Sequence, residues 1–195
     1  IAKKKKKLPK LIIVVHLGGL PVNPIKLKSL SKKYKFKIIE DASHSFGGRY
    51  FSRRVGSSKW SDITVFSFHP VKIITTAEGG AATTNNQKLY NKLKMLANHG
   101  ITKEKKFFKK NTNKAWYYEQ QFLGLNYRMN EMSASLGITQ LNNLRNFVKL
   151  RNNIAKIYYK HLKKDFIQLP VISKNCLSSF HLFVIKIVGK SEEYH

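Results

Sequence analysis

Acidic residues are scarce in this chain. Only 10 of its 195 residues are Asp or Glu, against 37 Lys or Arg, so the formal net charge is +27. Cysteine is almost absent: Cys176 stands alone, which excludes an intrachain disulfide and fits a reducing compartment. No apolar run approaches the roughly 20 residues a membrane-spanning helix needs. The longest, near Leu11 to Leu20, is broken by His16 and by Gly18-Gly19. Several motif classes are missing as well. There is no His-Glu-x-x-His, no cysteine pair, no P-loop and no Gly-x-Ser-x-Gly elbow, and the glycines at Gly18 lack the spacing of a dinucleotide fingerprint.

The positive charge admits two readings. Phosphate neutralisation would suit a nucleic-acid ligand. Dedicated readers rely on arginine for bidentate contacts, and arginine occurs here only at Arg49, Arg53, Arg54, Arg128, Arg145 and Arg151. Lysine and asparagine are abundant instead, a bias of codon usage more than of function, so nucleic acid is not the favoured partner. A field of this sign still draws anionic substrates such as nucleotide diphosphate sugars. The Lys3 to Lys7 run reads as a solvated loop ahead of the first strand.

Periodicity and turn residues predict an α/β fold. Leu11 to Gly19 reads as a buried strand ending in a turn. Pro24 to Tyr34 carries Ile25, Leu27, Leu30 and Tyr34 at helical spacing. Phe36 to Asp41 is a short apolar run ending in two acids, Ser61 to Phe68 is a strand rich in β-branched residues, and a short strand starts near Gly79. Gln87 to Ala97 is helical and stops near Gly100. Ile101 to Gln121, where lysines alternate with Phe107, Phe108, Trp116, Tyr117 and Tyr118, reads as a long exposed connection. A long helix follows from Asn130, ended by Pro170, and a strand is expected from His181.

Chemistry concentrates in one stretch. Asp41 ends a strand, where α/β sheets place ligand sites. His44 follows closely. Ser67 ends the next strand, and Lys72 follows between an apolar run and Thr75-Thr76-Ala77-Glu78-Gly79-Gly80. That order suits pyridoxal phosphate, which needs an amine for its aldehyde, a carboxylate at its ring nitrogen and donors for its phosphate. An imine-forming lysine must spend time as the free amine, a form that apolar burial favours. Phe66, Phe68, Val71, Ile73 and Ile74 are expected to supply that shelter. Each residue also has a plainer role open to it. Asp41 could cap a helix, His44 could be a structural histidine, Ser67 could bond only backbone, and Asn126 could be a turn residue.

Taken together, "EDASHSFGG", "DITVFSFHPVKIITTAEGG", "NHG" and "LGLNYRMNEMSASLGITQL" resemble the DegT/DnrJ/StrS family of sugar aminotransferases, from about Leu11 to Leu182. The resemblance implies part of a fold-type I, pyridoxal-phosphate-dependent large domain (residues 1–140), then a linking helix and the beginning of a small domain (141–195). It implies Lys72 as the imine-forming and proton-moving lysine and Asp41 facing the pyridine nitrogen. It further implies His44 near the cofactor ring, Ser67 as a phosphate ligand and Asn126 reaching the phosphate of a neighbouring subunit. A homodimer with shared sites is therefore expected. The expected substrates are glutamate and a UDP-linked 4-keto sugar of the pseudaminic-acid branch, and the expected location is the cytoplasm, with no membrane partner. The start at Ile1 and the stop at "GKSEEYH" suggest a piece of a longer protein, since family members are about twice this length. An inactive truncated copy and a basic nucleic-acid-binding fragment are the alternatives, and Lys72 argues against the related dehydratases that carry histidine in its place.

Overall fold

The computed structural model describes residues 8–162 and 164–188. The Lys3 to Lys7 run lies outside them. In chain order the elements are β1 (Leu11–Val15), α1 (Pro24–Tyr34), β2 (Lys37–Asp41), the paired β3 (Arg49–Tyr50) and β4 (Arg53–Arg54), β5 (Ile63–Ser67), β6 (Gly80–Thr83) and α2 (Gln87–Leu96). The second half holds β7 (Ile101–Thr102), β8 (Glu119–Gln120), α3 (Glu131–His161), β9 (Ile167–Gln168), β10 (Cys176–Leu177) and β11 (Lys186–Ile187).

The main sheet runs β1-β2-β5-β6, with the first three strands parallel and β6 antiparallel to β5. Asp41 is level with Val65, so β2 and β5 end at the same edge. The β1–α1–β2 crossover starts cleanly. The Asn23 side chain accepts from the Ile25 and Lys26 N–H groups, Pro24 occupies a position needing no donor, and Lys35 turns into the left-handed region to end the helix. Asparagine caps the other two helices in the same way, Asn86 accepting from Leu89 N–H and Asn130 from Ser133 N–H.

Phe36, Ile38, Phe66, Ile73 and Ile74 form the apolar core around β2 and β5. Beneath the sheet edge lies a buried polar cluster. Glu40 Oε2 accepts from Ser61 Oγ at 2.9 Å and from Thr64 Oγ1 at 2.7 Å. His16 Nε2 stands 3.7 Å from Glu40 Oε1. Burial alone would raise the Glu40 pKa, but nearby His16 and the hydrogen bonds from Thr64 and Ser61 hold it below its ordinary value.

Three expectations differ in detail. The first strand forms but is not buried: it is the sheet edge, and Leu11, Ile13 and Val15 are 44%, 61% and 47% exposed. The long helix stops at His161, well before Pro170, because Leu162 leaves helical backbone geometry. The strand expected from His181 shrinks to Lys186–Ile187, because residues 178–182 spend their hydrogen bonds on loops at the sheet edge.

The Ile101 to Gln121 connection is exposed, as expected, but organised. Glu119 accepts from the Lys109 and Lys110 N–H groups, Tyr117 Oη and Gln121 Nε2, which pulls its pKa down to about 2. Among the described residues, no helix is long and apolar enough to cross a membrane.

Candidate active site

The site forms where β2 and β5 end. Asp41 is half-buried at the last position of β2, and its Oδ1 accepts from Ser43 N–H at 3.0 Å. It caps no helix; it closes a tight turn, and Ala42 N–H bonds across to Val65 O at 2.8 Å. That turn carries His44 back towards the glycine loop after β1. There His44 Nδ1 accepts from Gly18 N–H at 3.4 Å, which places the proton of the neutral ring on Nε2.

Ser67 ends β5. Its Oγ accepts from His69 N–H at 3.4 Å, which leaves its own hydrogen to donate. The chain then makes a closed loop. Phe68 N–H bonds to Gly79 O, Thr76 N–H and Thr75 Oγ1 both bond to Phe68 O, and Thr76 Oγ1 bonds to Glu78 O. Gly79 is required at the neck, because a Cβ there would meet the Thr76 side chain and Met129 Cε. Lys72 sits inside this loop, its N–H bonded to His69 O at 2.9 Å, and is half-buried. Of the expected apolar shelter, Phe66, Ile73 and Ile74 are buried and Phe68 is half-buried, whereas Val71 points outward at 60% exposure.

Electrostatics tie these side chains together. For Asp41, burial opposes ionisation, but the Ser43 hydrogen bonds and the positive charges of His44 and Lys72 outweigh it and hold the carboxyl below its ordinary value. For His44, burial and the Lys72 charge lower the pKa, against the raising effect of Asp41. Lys72, Asp41 and His44 therefore share one electrostatic environment, although they come from different segments.

A fourth member, His181, carries no signal that sequence reasoning used. Its ring centroid lies 4.4 Å from that of His44, with the planes tilted by 41°. Burial, then His44, Lys72 and Arg151, lower its pKa to about 4. The available clue was the Ser178-Ser179 pair ahead of it, polar yet 2% and 0% exposed. Asn126 stands apart. It lies on the exposed strip before α3, bridged to Asn98, and no hydrogen bond or ion pair joins it to Asp41, His44, Ser67 or Lys72 among the described residues. Arg128 beside it donates to Asn98 Oδ1 at 2.6 Å, a structural contact.

A half-buried amine, a carboxylate held ionised and a hydroxyl with a free hydrogen are the groups an aldehyde-bearing pyridinium phosphate requires. The residues present fit pyridoxal phosphate. No cluster of three or more metal-ligating side chains occurs among the described residues.

Residues 1–194 match the model of the DegT/DnrJ/EryC1/StrS aminotransferase family. The chain is 39% identical over 175 residues to the UDP-4-amino-4,6-dideoxy-N-acetyl-beta-L-altrosamine transaminase of Campylobacter jejuni, covering 89% of this chain and 44% of that protein. It is 34% identical over 179 residues to the dTDP-3-amino-3,6-dideoxy-alpha-D-galactopyranose transaminase of Aneurinibacillus thermoaerophilus, covering 91% and 45%. The solved structure of Helicobacter pylori PseC, an aminotransferase involved in the biosynthesis of pseudoaminic acid, superposes with a TM-score of 0.80 at 31% identity, over 90% of this chain and 45% of that one. The PLP form of the putative sugar aminotransferase Spr1654 from Streptococcus pneumoniae gives 0.79 at 28% identity, over 94% and 49%. The α/β expectation agrees with these neighbours. The chain spans about half the length of the curated relatives it matches.

Proposed function

Because this chain belongs to the DegT/DnrJ/EryC1/StrS aminotransferase family, we propose that it carries the catalytic lysine of a pyridoxal-phosphate-dependent enzyme that aminates a nucleotide-linked keto sugar. The observation that carries the reading is the shared environment of Lys72, Asp41 and His44 at the ends of β2 and β5. When bound, the cofactor supplies an electron-withdrawing ring that eases loss of a proton from the adjoining carbon.

The chain's own residues do the rest. Lys72 Nζ provides the amine that anchors the cofactor, and takes up and returns the proton. Asp41, held ionised, offers a fixed negative charge for the ring nitrogen. His44 keeps its Nδ1 occupied by Gly18 N–H and so presents Nε2–H as a donor. The Ser67 hydroxyl is free to donate to the phosphate. Asn126, exposed and bridged to Asn98 rather than bonded to these groups, acts across a homodimer on the partner's cofactor phosphate.

Glutamate is the proposed amino donor and a UDP-linked 4-keto sugar the proposed acceptor, in the cytoplasm. The acceptor follows the activity named for the Campylobacter jejuni relative. An assay of purified protein with pyridoxal phosphate, glutamate and a UDP-linked 4-keto-6-deoxy sugar tests this. The expected product is the 4-amino sugar with stoichiometric 2-oxoglutarate. A C3-deoxygenated product, or no turnover with any donor, would overturn the assignment.

A further inference from the structure

We propose that His181 is a positioning residue of this site: its ring backs the His44 ring and fixes it beside Asp41 and Lys72, while Arg151 and Asn152 of α3 hold the segment that carries it. The proposal rests on the reading of Asp41, His44 and Lys72 as a cofactor-binding group and extends it to a residue distant in sequence.

The segment 178–182 is held from two sides. On the sheet side, Ser179 N–H donates to Gly19 O at 3.1 Å and Leu182 N–H to Gly18 O at 3.2 Å. The Ser179 hydroxyl donates to the His44 carbonyl at 2.8 Å. Such close docking requires glycine at position 19. With φ +96, any Cβ there would stand 2.6 Å from Ser179 Oγ and 2.9 Å from both His181 N and His44 O. On the helix side, Arg151 Nη1 donates to Phe180 O at 3.1 Å and His181 O at 3.4 Å, and Asn152 Nδ2 donates to Ser178 O at 2.9 Å. The same glycine loop fixes His44, through Gly18 N–H on Nδ1. One frame therefore sets both rings.

The charged groups around this pair come from four elements. Asp41 comes from β2, Lys72 from the loop after β5, His181 from the docked segment and Arg151 from α3. Burial, aided by its cationic neighbours, keeps His181 neutral down to about 4. At neutral pH it therefore presents an uncharged wall to His44. The Nδ1 of His181 is buried and has no hydrogen-bond partner among the described residues. Nothing on its own account rewards a histidine ring there, whereas its contact with His44 does.

Imidazole titration by NMR, on the purified chain without cofactor, tests the proposal. In the unsubstituted protein His44 titrates below the ordinary histidine value. In His181→Ala water reaches the exposed ring face, and the His44 midpoint rises towards the ordinary value. In His181→Phe the wall is restored without an ionisable group, and the midpoint stays low. An unchanged His44 midpoint in His181→Ala overturns the proposal, and so does an equal rise in His181→Phe. Should His181→Ala fail to fold, Arg151→Gln is read in its place: a rise of the His44 midpoint supports the proposal and an unmoved one overturns it. Because no cofactor is added, failure here leaves the Lys72 reading standing, and failure to bind pyridoxal phosphate would strike that reading alone.

Discussion

The imidazole rings of His44 and His181 face each other at 4.4 Å, one just past the end of β2 and the other near the end of the chain. Both rings feel the Lys72 charge, so the contact belongs to the same site. It also makes the site's integrity depend on pH.

The sign follows from linkage. His181 is held near 4 in the fold, against an ordinary value of 6.5, so between those values the unfolded chain binds a proton that the native chain refuses. Stability is complete above 6.5 and is lost as pH falls through that window. Asp41 and Glu40, held low, add a further loss as pH falls from their ordinary values of 3.8 and 4.5 through their depressed ones. Melting temperatures measured across pH are expected to fall in two stages. His181→Phe is expected to abolish most of the first.

Asp41 and His44 are coupled with a definite sign. The Asp41 charge raises the His44 pKa against burial and Lys72. Asp41→Asn is therefore expected to lower the His44 midpoint further, read by NMR. Under the proposed function, the same substitution is expected to reduce turnover by at least about a hundredfold, since the ring nitrogen loses its fixed counter-charge.

The Glu40 cluster supports the strand that delivers Asp41. Glu40→Ala leaves the Ser61 and Thr64 hydroxyls without their shared acceptor and removes the carboxylate 3.7 Å from His16 Nε2. A loss of about 3 kcal/mol is expected in equilibrium urea unfolding, as for a broken buried polar pair. Thr64→Val, which removes one donor and keeps the shape, is expected to cost about 1 kcal/mol.

Gly19 is a backbone constraint on the site. Gly19→Ala strains a left-handed residue and pushes against Ser179, His181 and His44. A destabilisation of about 1–3 kcal/mol is expected from urea unfolding, together with a displaced His44 resonance.

The parts of this design that sequence displays are local ones. Helix α1 is legible because Asn23-Pro24 starts it and apolar residues repeat at its spacing; β2 and β5 are legible as short β-branched or apolar runs ending in polar residues. Asp41, His44, Ser67 and Lys72 stood out because each lies near a strand end within one stretch. Whether a strand is covered cannot be read from its own residues: β1 has apolar side chains on both faces, and among the described residues nothing covers the face bearing Leu11, Ile13 and Val15. His181 was hidden for a related reason. It sits in an apolar run that reads as a strand, and its role arises only when α3 turns the chain back and Arg151 and Asn152 dock residues 178–182 on the glycine loop. Pro170 does not set the helix end, which lies at Leu162, where the backbone leaves helical geometry.

The central claim is that the Lys72 amine, and no other among the many lysines of this chain, anchors the cofactor. Borohydride reduction of the protein mixed with pyridoxal phosphate, followed by peptide mass mapping, tests it directly. The account predicts a single pyridoxyl adduct on Lys72, with the accompanying visible absorbance band lost in Lys72→Ala. Adducts scattered over surface lysines, or an undiminished band in Lys72→Ala, would contradict it.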